Sequence, residues 1–203
     1  CVHDAFVKHL REQTVAMYGT HPLTNPAYGK IINRHHFHRL QQLILTQKVL
    51  FGGEADSQSL RIAPTVLDHV HPQDAVMGEE VFGPILPVLT IANLEEAISF
   101  ISSRPHPLAL YLFTSSRHEE HRVMNSLQFG GGCVNDTLVH LANHHLPFGG
   151  IGESGMGTYQ GQHSFLAFSH SKGILTTPTW LDIPIRYQPY TKLKDWLIRF
   201  VTR

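Results

Sequence analysis

The sequence predicts an α/β fold built on a mostly parallel sheet flanked by helices. Three observations predict it. Leu108–Thr114 (LALYLFT) is a near-continuous apolar run, suited to a strand covered on both faces. Segments with helical apolar spacing alternate with short β-branched or apolar segments, the pattern of a sheet layered with helices. The chain has 203 residues, 42% of them hydrophobic, enough to bury a core in one domain with a small appendage.

The elements follow in chain order. Asp4 to Tyr18 reads as an amphipathic helix, with Phe6, Leu10 and Met17 marking one face and Gly19 stopping it. Pro22, Asn25 and Pro26 make a turn-rich link. Tyr28 to Leu45 reads as a second helix carrying Ile31, Ile32, Phe37, Leu40, Leu43 and Ile44. Lys48–Phe51 and Ile62–Val70 are strand candidates, the first ended by Gly52-Gly53 and the second favoured by Thr65 and Val66. Asn93 precedes an apolar run with Glu96 three residues on, a helix-capping arrangement. Pro105 and Pro107 end that helix. Arg117–Leu127 is the next helix, and Cys133-Val134 begins a strand after three glycines. Phe165–Thr177 reads as extended. Lys192–Val201 (KLKDWLIRFV) is a short amphipathic helix, better suited to packing on protein than on a membrane surface.

Composition excludes several function classes. The 16 basic residues balance the 16 acidic ones, which gives no basic field for nucleic acid. No apolar stretch is long enough to span a bilayer, and the charges at Asp4, Lys8, Arg11 and Glu12 do not read as a signal peptide. The two cysteines, Cys1 and Cys133, suggest no disulfide framework, so a reducing cytoplasm is expected. Histidines are abundant, in groups at His35, His36 and His38 and at His140, His144 and His145. Neither group has the spacing of a zinc site, and no metal is expected.

Three stretches carry a resemblance. They are Met77-Gly78-Glu79-Glu80-Val81-Phe82-Gly83-Pro84; Asn135-Asp136 with His140 and Leu146-Pro147-Phe148-Gly149-Gly150; and Ser154-Gly155-Met156-Gly157 running on to Phe168-Ser169-His170. Together with Tyr28-Gly29-Lys30 and Ile62-Ala63-Pro64-Thr65-Val66 they cover nearly the whole chain. The sequence resembles the C-terminal portion of a class 3-type aldehyde dehydrogenase, and Arg186-Tyr187-Gln188-Pro189-Tyr190 is similar to the coniferyl aldehyde dehydrogenase subgroup.

The resemblance implies oxidation of aldehydes to carboxylic acids with NAD or NADP, through attack by a cysteine thiolate, hydride transfer and thioester hydrolysis. It implies that Glu80 accepts hydrogen bonds from the nicotinamide ribose hydroxyls, and that Phe82 packs near the nicotinamide ring. His140 falls at a class 3 position near the active site. Phe148 either lines the aldehyde pocket or anchors its loop, and Asn135 has a turn-forming role open to it as well. The glycines serve backbone geometry; no strand–G-x-G-x-x-G–helix unit is present.

The same resemblance divides the chain into a partial catalytic domain over 1–168, an oligomerisation arm strand over 169–178 that would build a homodimer, and an extension over 179–203. The family's Gly-Gln-x-Cys nucleophile context does not occur, and the nucleophile and general-base glutamate are expected upstream. No catalytic residue is therefore assigned within these residues, and the chain alone is expected to be inactive. The alternatives are a non-catalytic dimerisation module of the same descent, or a different α/β enzyme using Cys133 or a histidine. Which aldehyde is oxidised, and whether NAD or NADP is used, are not legible.

Overall fold

The computed structural model describes residues 2–45 and 48–201. The chain falls into two compact units. One runs through Arg104 and takes in His121–Leu127; the other comprises Pro105–Glu120 and the residues from Gln128 onward.

In the first unit, α1 (His3–Tyr18) stops where expected, at Gly19 with φ +76°. Helix α2 (Arg34–Leu45) begins later than the apolar pattern predicts. The reason is local. Asn33 accepts the His36 amide on its side chain, which caps the helix, while Tyr28 and Ile31 bond to the carbonyls of Ile62 and Leu60. The Ile31 amide is thus spent on Leu60 and not on a helical turn, and the Tyr28 hydroxyl ties the same segment to Ile62.

Strand β1 (Val49–Phe51) pairs antiparallel with β4 (Thr65–Leu67), and β4 pairs parallel with β5 (Ile85–Pro87). A hairpin of β2 (Ala55–Asp56) and β3 (Arg61–Ile62) lies between β1 and β4 in sequence. Its turn is held by Asp56, which accepts from Gln58 and Ser59. Phe37, Leu40, Leu43 and Ile44 of α2 meet Ile62, Leu67, Val70, Val76 and Ile85 in one buried cluster.

Helix α3 (Leu94–Ser102) is capped as the sequence predicts. Asn93 accepts the Glu96 amide at 2.9 Å, and Glu96 reaches back to the Ala92 amide at 2.7 Å. Asn93→Ala is expected to cost about 1 kcal/mol of stability, read from urea unfolding. A loss below a few tenths would mean that the cap contributes nothing there.

In the second unit, β6 (Ala109–Leu112) pairs parallel with β7 (Gly131–Val134). Gly132 lets the two strands approach, since a Cβ there would lie 2.0 Å from the Leu110 carbonyl oxygen. Helix α4 (Arg117–Ser126) starts in this unit and ends in the first. The stretch expected to be extended from Phe165 begins instead inside α5 (Gly161–Ala167), where the Ser164 hydroxyl accepts the Gln160 amide. Residues 169–178 are exposed and form no strand pairing among the described residues. Helix α6 (Lys192–Val201) follows, with Trp196 and Phe200 stacked at 5.9 Å.

The architecture is mixed α/β with small sheets. Among the described residues the four strand pairings divide evenly between parallel and antiparallel. The antiparallel pairings are β1 with β4 and the β2–β3 hairpin, and they join segments close in sequence that need no crossover helix.

Candidate functional site

Two groups of predicted site residues lie in different units, and each has its own geometry. The first is the loop between the turn at Ala75–Met77 and β5. Its C-terminal end is fixed to the core sheet, where Pro84 accepts the Thr65 amide at 2.8 Å. Its other end is gripped by one side chain. Arg39 of α2 donates from Nη1 to Glu79 at 2.8 Å and from Nη2 to the Val81 carbonyl at 2.6 Å. The fork of a guanidinium can hold two acceptors at once, which a lysine ammonium does less well. Glu79 is thereby committed to a structural ion pair.

Glu80, the next residue, is exposed and has no ion pair or hydrogen bond among the described residues. Phe82 is 84% exposed and adopts φ +47°. A bulky residue in the left-handed region is uncommon and costs conformational energy. The bonds on either side of it, Val81 to Arg39 and Pro84 to Thr65, impose that backbone, and the ring faces outward, away from the buried cluster. A ring so exposed is not part of the core. Gly83 allows the turn to lie on α2, since a Cβ there would sit 2.6 Å from a Leu40 methyl carbon.

The second group surrounds His140 in the second unit. His140 is 7% exposed and sits in a turn, Val139–Ala142, after β7. Its ring centroid lies 6.2 Å from that of Phe148 and 5.8 Å from that of Tyr111. Phe148 in turn meets Tyr159 edge-on at 5.4 Å, and the backbones of Phe148 and Tyr159 bond to each other in both directions. His140 and Phe148, proposed separately from sequence, are therefore neighbours. Asn135, at φ +57°, both accepts from and donates to the backbone of Thr114, a structural bracing of β6 against β7.

The sequence reading missed two features. Arg39 sits 40 residues from Glu79, and nothing in the local pattern marks it. Cys133 has its Sγ 3.4 Å from His140 Nδ1, a pairing across seven residues with no periodicity to reveal it.

A cleft of about 620 Å³ runs along α1, and neither Glu80 nor Phe82 lines it. At its wall His3 bonds Asp68 through Nε2 and Asp4 through Nδ1, both at 2.9 Å. Asp68 is buried and also accepts the His69 amide. The Asp4 and then the Asp68 carboxylates hold His3 above its ordinary 6.5. Burial pushes Asp68 upward, but the bonds from His3 and His69 outweigh it and leave the carboxyl below its ordinary 3.8. The His3 contribution is thus complete below pH 6.5 and is lost as pH rises through its raised value. The Asp68 contribution is present above 3.8 and is lost as pH falls through its lowered value. The stability difference between the wild type and Asp68→Asn is expected to peak near pH 5, between those limits. Urea midpoints across the pH range measure it; a difference that stays constant as pH rises from 6.5 into the alkaline range would sink the assignment to this pair.

Among the described residues, no group of three or more His, Cys, Asp or Glu side chains could hold a metal ion. No helix there is long and apolar enough to cross a membrane.

Comparison with known proteins supplies the wider setting. Residues 1–174 match the aldehyde dehydrogenase family. The chain is 47% identical over 191 residues to 4,4'-diaponeurosporen-aldehyde dehydrogenase of Staphylococcus aureus, covering 93% of this chain and 42% of that protein. It is 46% identical to aldehyde dehydrogenase family 3 member H1 of Arabidopsis thaliana, covering 90% of this chain and 38% of that one. A solved structure of Staphylococcus aureus AldH, described as a substrate-bound state, superimposes with a TM-score of 0.91 at 45% identity, over 100% of this chain and 44% of that one. A structure of indole-3-acetaldehyde dehydrogenase with NAD+ gives 0.71 at 26% identity, over 82% and 35%. The chain spans about two fifths of the length of these relatives. On the family match and these identities, this chain belongs to the aldehyde dehydrogenase family.

Proposed function

We propose that this chain forms the nicotinamide-ribose contact and part of the aldehyde-pocket wall of an enzyme that oxidises aldehydes to carboxylic acids with NAD or NADP. The observation that supports it best is the loop at Glu80 and Phe82. A strained, outward-facing aromatic ring stands two residues from an unpartnered carboxylate, and Arg39 takes the adjacent Glu79 out of play. A free carboxylate can accept two vicinal hydroxyls together. An exposed ring beside it can pack on a planar heterocycle. The donor set fits a nucleoside ribose and its base. The bound cofactor would supply the hydride acceptor.

His140 and Phe148 would contribute to the pocket wall, since pockets are mostly apolar with a few placed polar groups. The finer readings belong to the same proposal. These residues would be the C-terminal portion of the enzyme, its small sheets being pieces of a larger, mostly parallel one. Residues 1–168 would belong to the catalytic domain, with nucleophile and general base supplied from elsewhere in the protein. Residues 169–178 would pair with a sheet of a second copy, giving a homodimer, and 179–203 would extend beyond the arm. Apolar side chains left exposed there, Ile174 and Leu175 among them, favour such a partner. Medium- or long-chain aliphatic aldehydes and aromatic aldehydes such as coniferyl aldehyde are the proposed substrate classes, and the cytoplasm the proposed site of action.

Nuclear magnetic resonance tests the reading on the chain itself. Millimolar NAD is expected to shift the amide signals of residues 79–83 most, with binding weaker than low micromolar and no aldehyde-dependent NADH formation. Shifts that leave this loop untouched would overturn the assignment of Glu80 and Phe82.

A further inference from the structure

We infer that Arg104 is a positioning residue for the cofactor contact: with Arg39 it clamps the loop between β4 and β5, so that Glu80 and Phe82 are presented before a ligand arrives. The inference rests on the nicotinamide reading for what the loop binds, and on its own geometry for how the loop is held.

Arg104 stands just beyond α3, its amide donating to the Ile101 carbonyl at 3.1 Å. Its guanidinium lies over the Phe100 ring, 4.8 Å from the centroid. From there Nη1 donates to the Met77 carbonyl at 2.8 Å and Nη2 to the Pro72 carbonyl at 2.6 Å. A planar fork stacked on a ring has its donors aimed in advance, and loses little freedom in making both bonds.

Met77 and Val81 are anchored alike. The side chains of both pack against the buried cluster of the first unit. The carbonyl of Met77 is held by Arg104 and that of Val81 by Arg39. Only Gly78, Glu79 and Glu80 lie between these anchors, and Phe82 follows the second directly. A span so short, fixed at both ends, has few backbone states open to it. Of the four bonds the two arginines make to the loop, all but the one to Glu79 go to backbone carbonyls. The clamp therefore holds the chain's path and leaves the Glu80 carboxylate uncommitted.

The consequence for binding is preorganisation. A loop already ordered loses little further freedom when a ribose and its base settle on it. Without the Arg104 grip, the upstream anchor at Met77 keeps only its side-chain packing. Glu80 and Phe82 are then presented together in only part of the population, and the apparent affinity falls by that fraction.

The test uses amide magnetic resonance of the full chain, first without ligand and then with NAD. Arg104→Met keeps an unbranched stem over Phe100 and removes both donors. In it the backbone order parameters of residues 78–82 are expected to fall from the rigid range to below about 0.6, while those of Phe37, Leu40 and Leu67 stay rigid. The initial slope of the 79–83 shifts against NAD concentration is expected to fall about fivefold. Arg104→Lys, which offers one ammonium for the fork, is expected to lie between. A loop as rigid in Arg104→Met as in the wild type overturns the inference, whatever NAD does. So does a loosened loop that answers NAD as steeply as before, and so does a loss of order shared equally by the core, which would make Arg104 merely structural. If Arg104→Met does not fold, Arg104→Lys carries the same two readouts. A wild type whose loop ignores NAD overturns the nicotinamide reading and the ligand assigned here with it; the ligand-free arm tells that failure from a failure of the clamp.

Discussion

Phe37→Ala is expected to destabilise the first unit by about 3–5 kcal/mol, the range for truncating a fully buried aromatic. Phe37 is 0% exposed and sits where α2 meets β3, β4 and β5. The cavity would have to be closed by Leu40, Ile62 and Leu67, which are themselves fully or almost fully buried and have little room to move. The effect reaches the candidate site through α2. Arg39 lies two residues further along that helix and Leu40 three, and these are the residues that grip Val81 and cradle Gly83. A shift of α2 into the cavity would loosen the loop that carries Glu80 and Phe82. Urea unfolding measures the loss. A change below about 1 kcal/mol would mean that the cluster repacks freely and does not fix the loop.

The second large effect is expected from Glu80→Gln. Measured in a chimaera in which this chain replaces the matching segment of the Staphylococcus aureus relative, kcat/KM for NAD should fall about 10- to 100-fold. A carboxylate accepting two hydroxyls makes charge-assisted bonds of about 1.5–3 kcal/mol each, and the amide keeps one neutral acceptor. Each 1.4 kcal/mol is about a factor of ten. Glu79→Gln serves as the comparison. Its carboxylate pairs with Arg39, so it should act through loop position, with a smaller loss. Equal losses at the two positions would remove the distinction on which the assignment of Glu80 rests.

Sequence periodicity reached the helices better than the sheets. Gly19 and Asn93 mark the end of α1 and the start of α3 because a left-handed stop and a side-chain cap are local chemistry. The start of α2 was misplaced for a non-local reason: Tyr28 and Ile31 are tied to Ile62 and Leu60, some thirty residues away. Strand order suffers the same limit. Val49–Phe51 and Thr65–Leu67 are recognisable as apolar, β-branched runs, yet nothing in them says that one pair is antiparallel and the next parallel. The candidate site was reached through family resemblance. Composition and spacing alone would have left Glu80 as a solvated glutamate and Phe82 as core. The structure adds what no pattern held: the positive φ of Phe82, the commitment of Glu79 to Arg39, and the thiol beside His140.

The most direct test of the central claim is aldehyde-dependent NADH formation by the chimaera described above. If these residues supply the nicotinamide-side contact of an aldehyde dehydrogenase, the folded chimaera turns over aldehyde and loses most of that turnover in Glu80→Gln. A chimaera that folds, as judged by circular dichroism, but forms no NADH, or one whose turnover is indifferent to Glu80, contradicts the account.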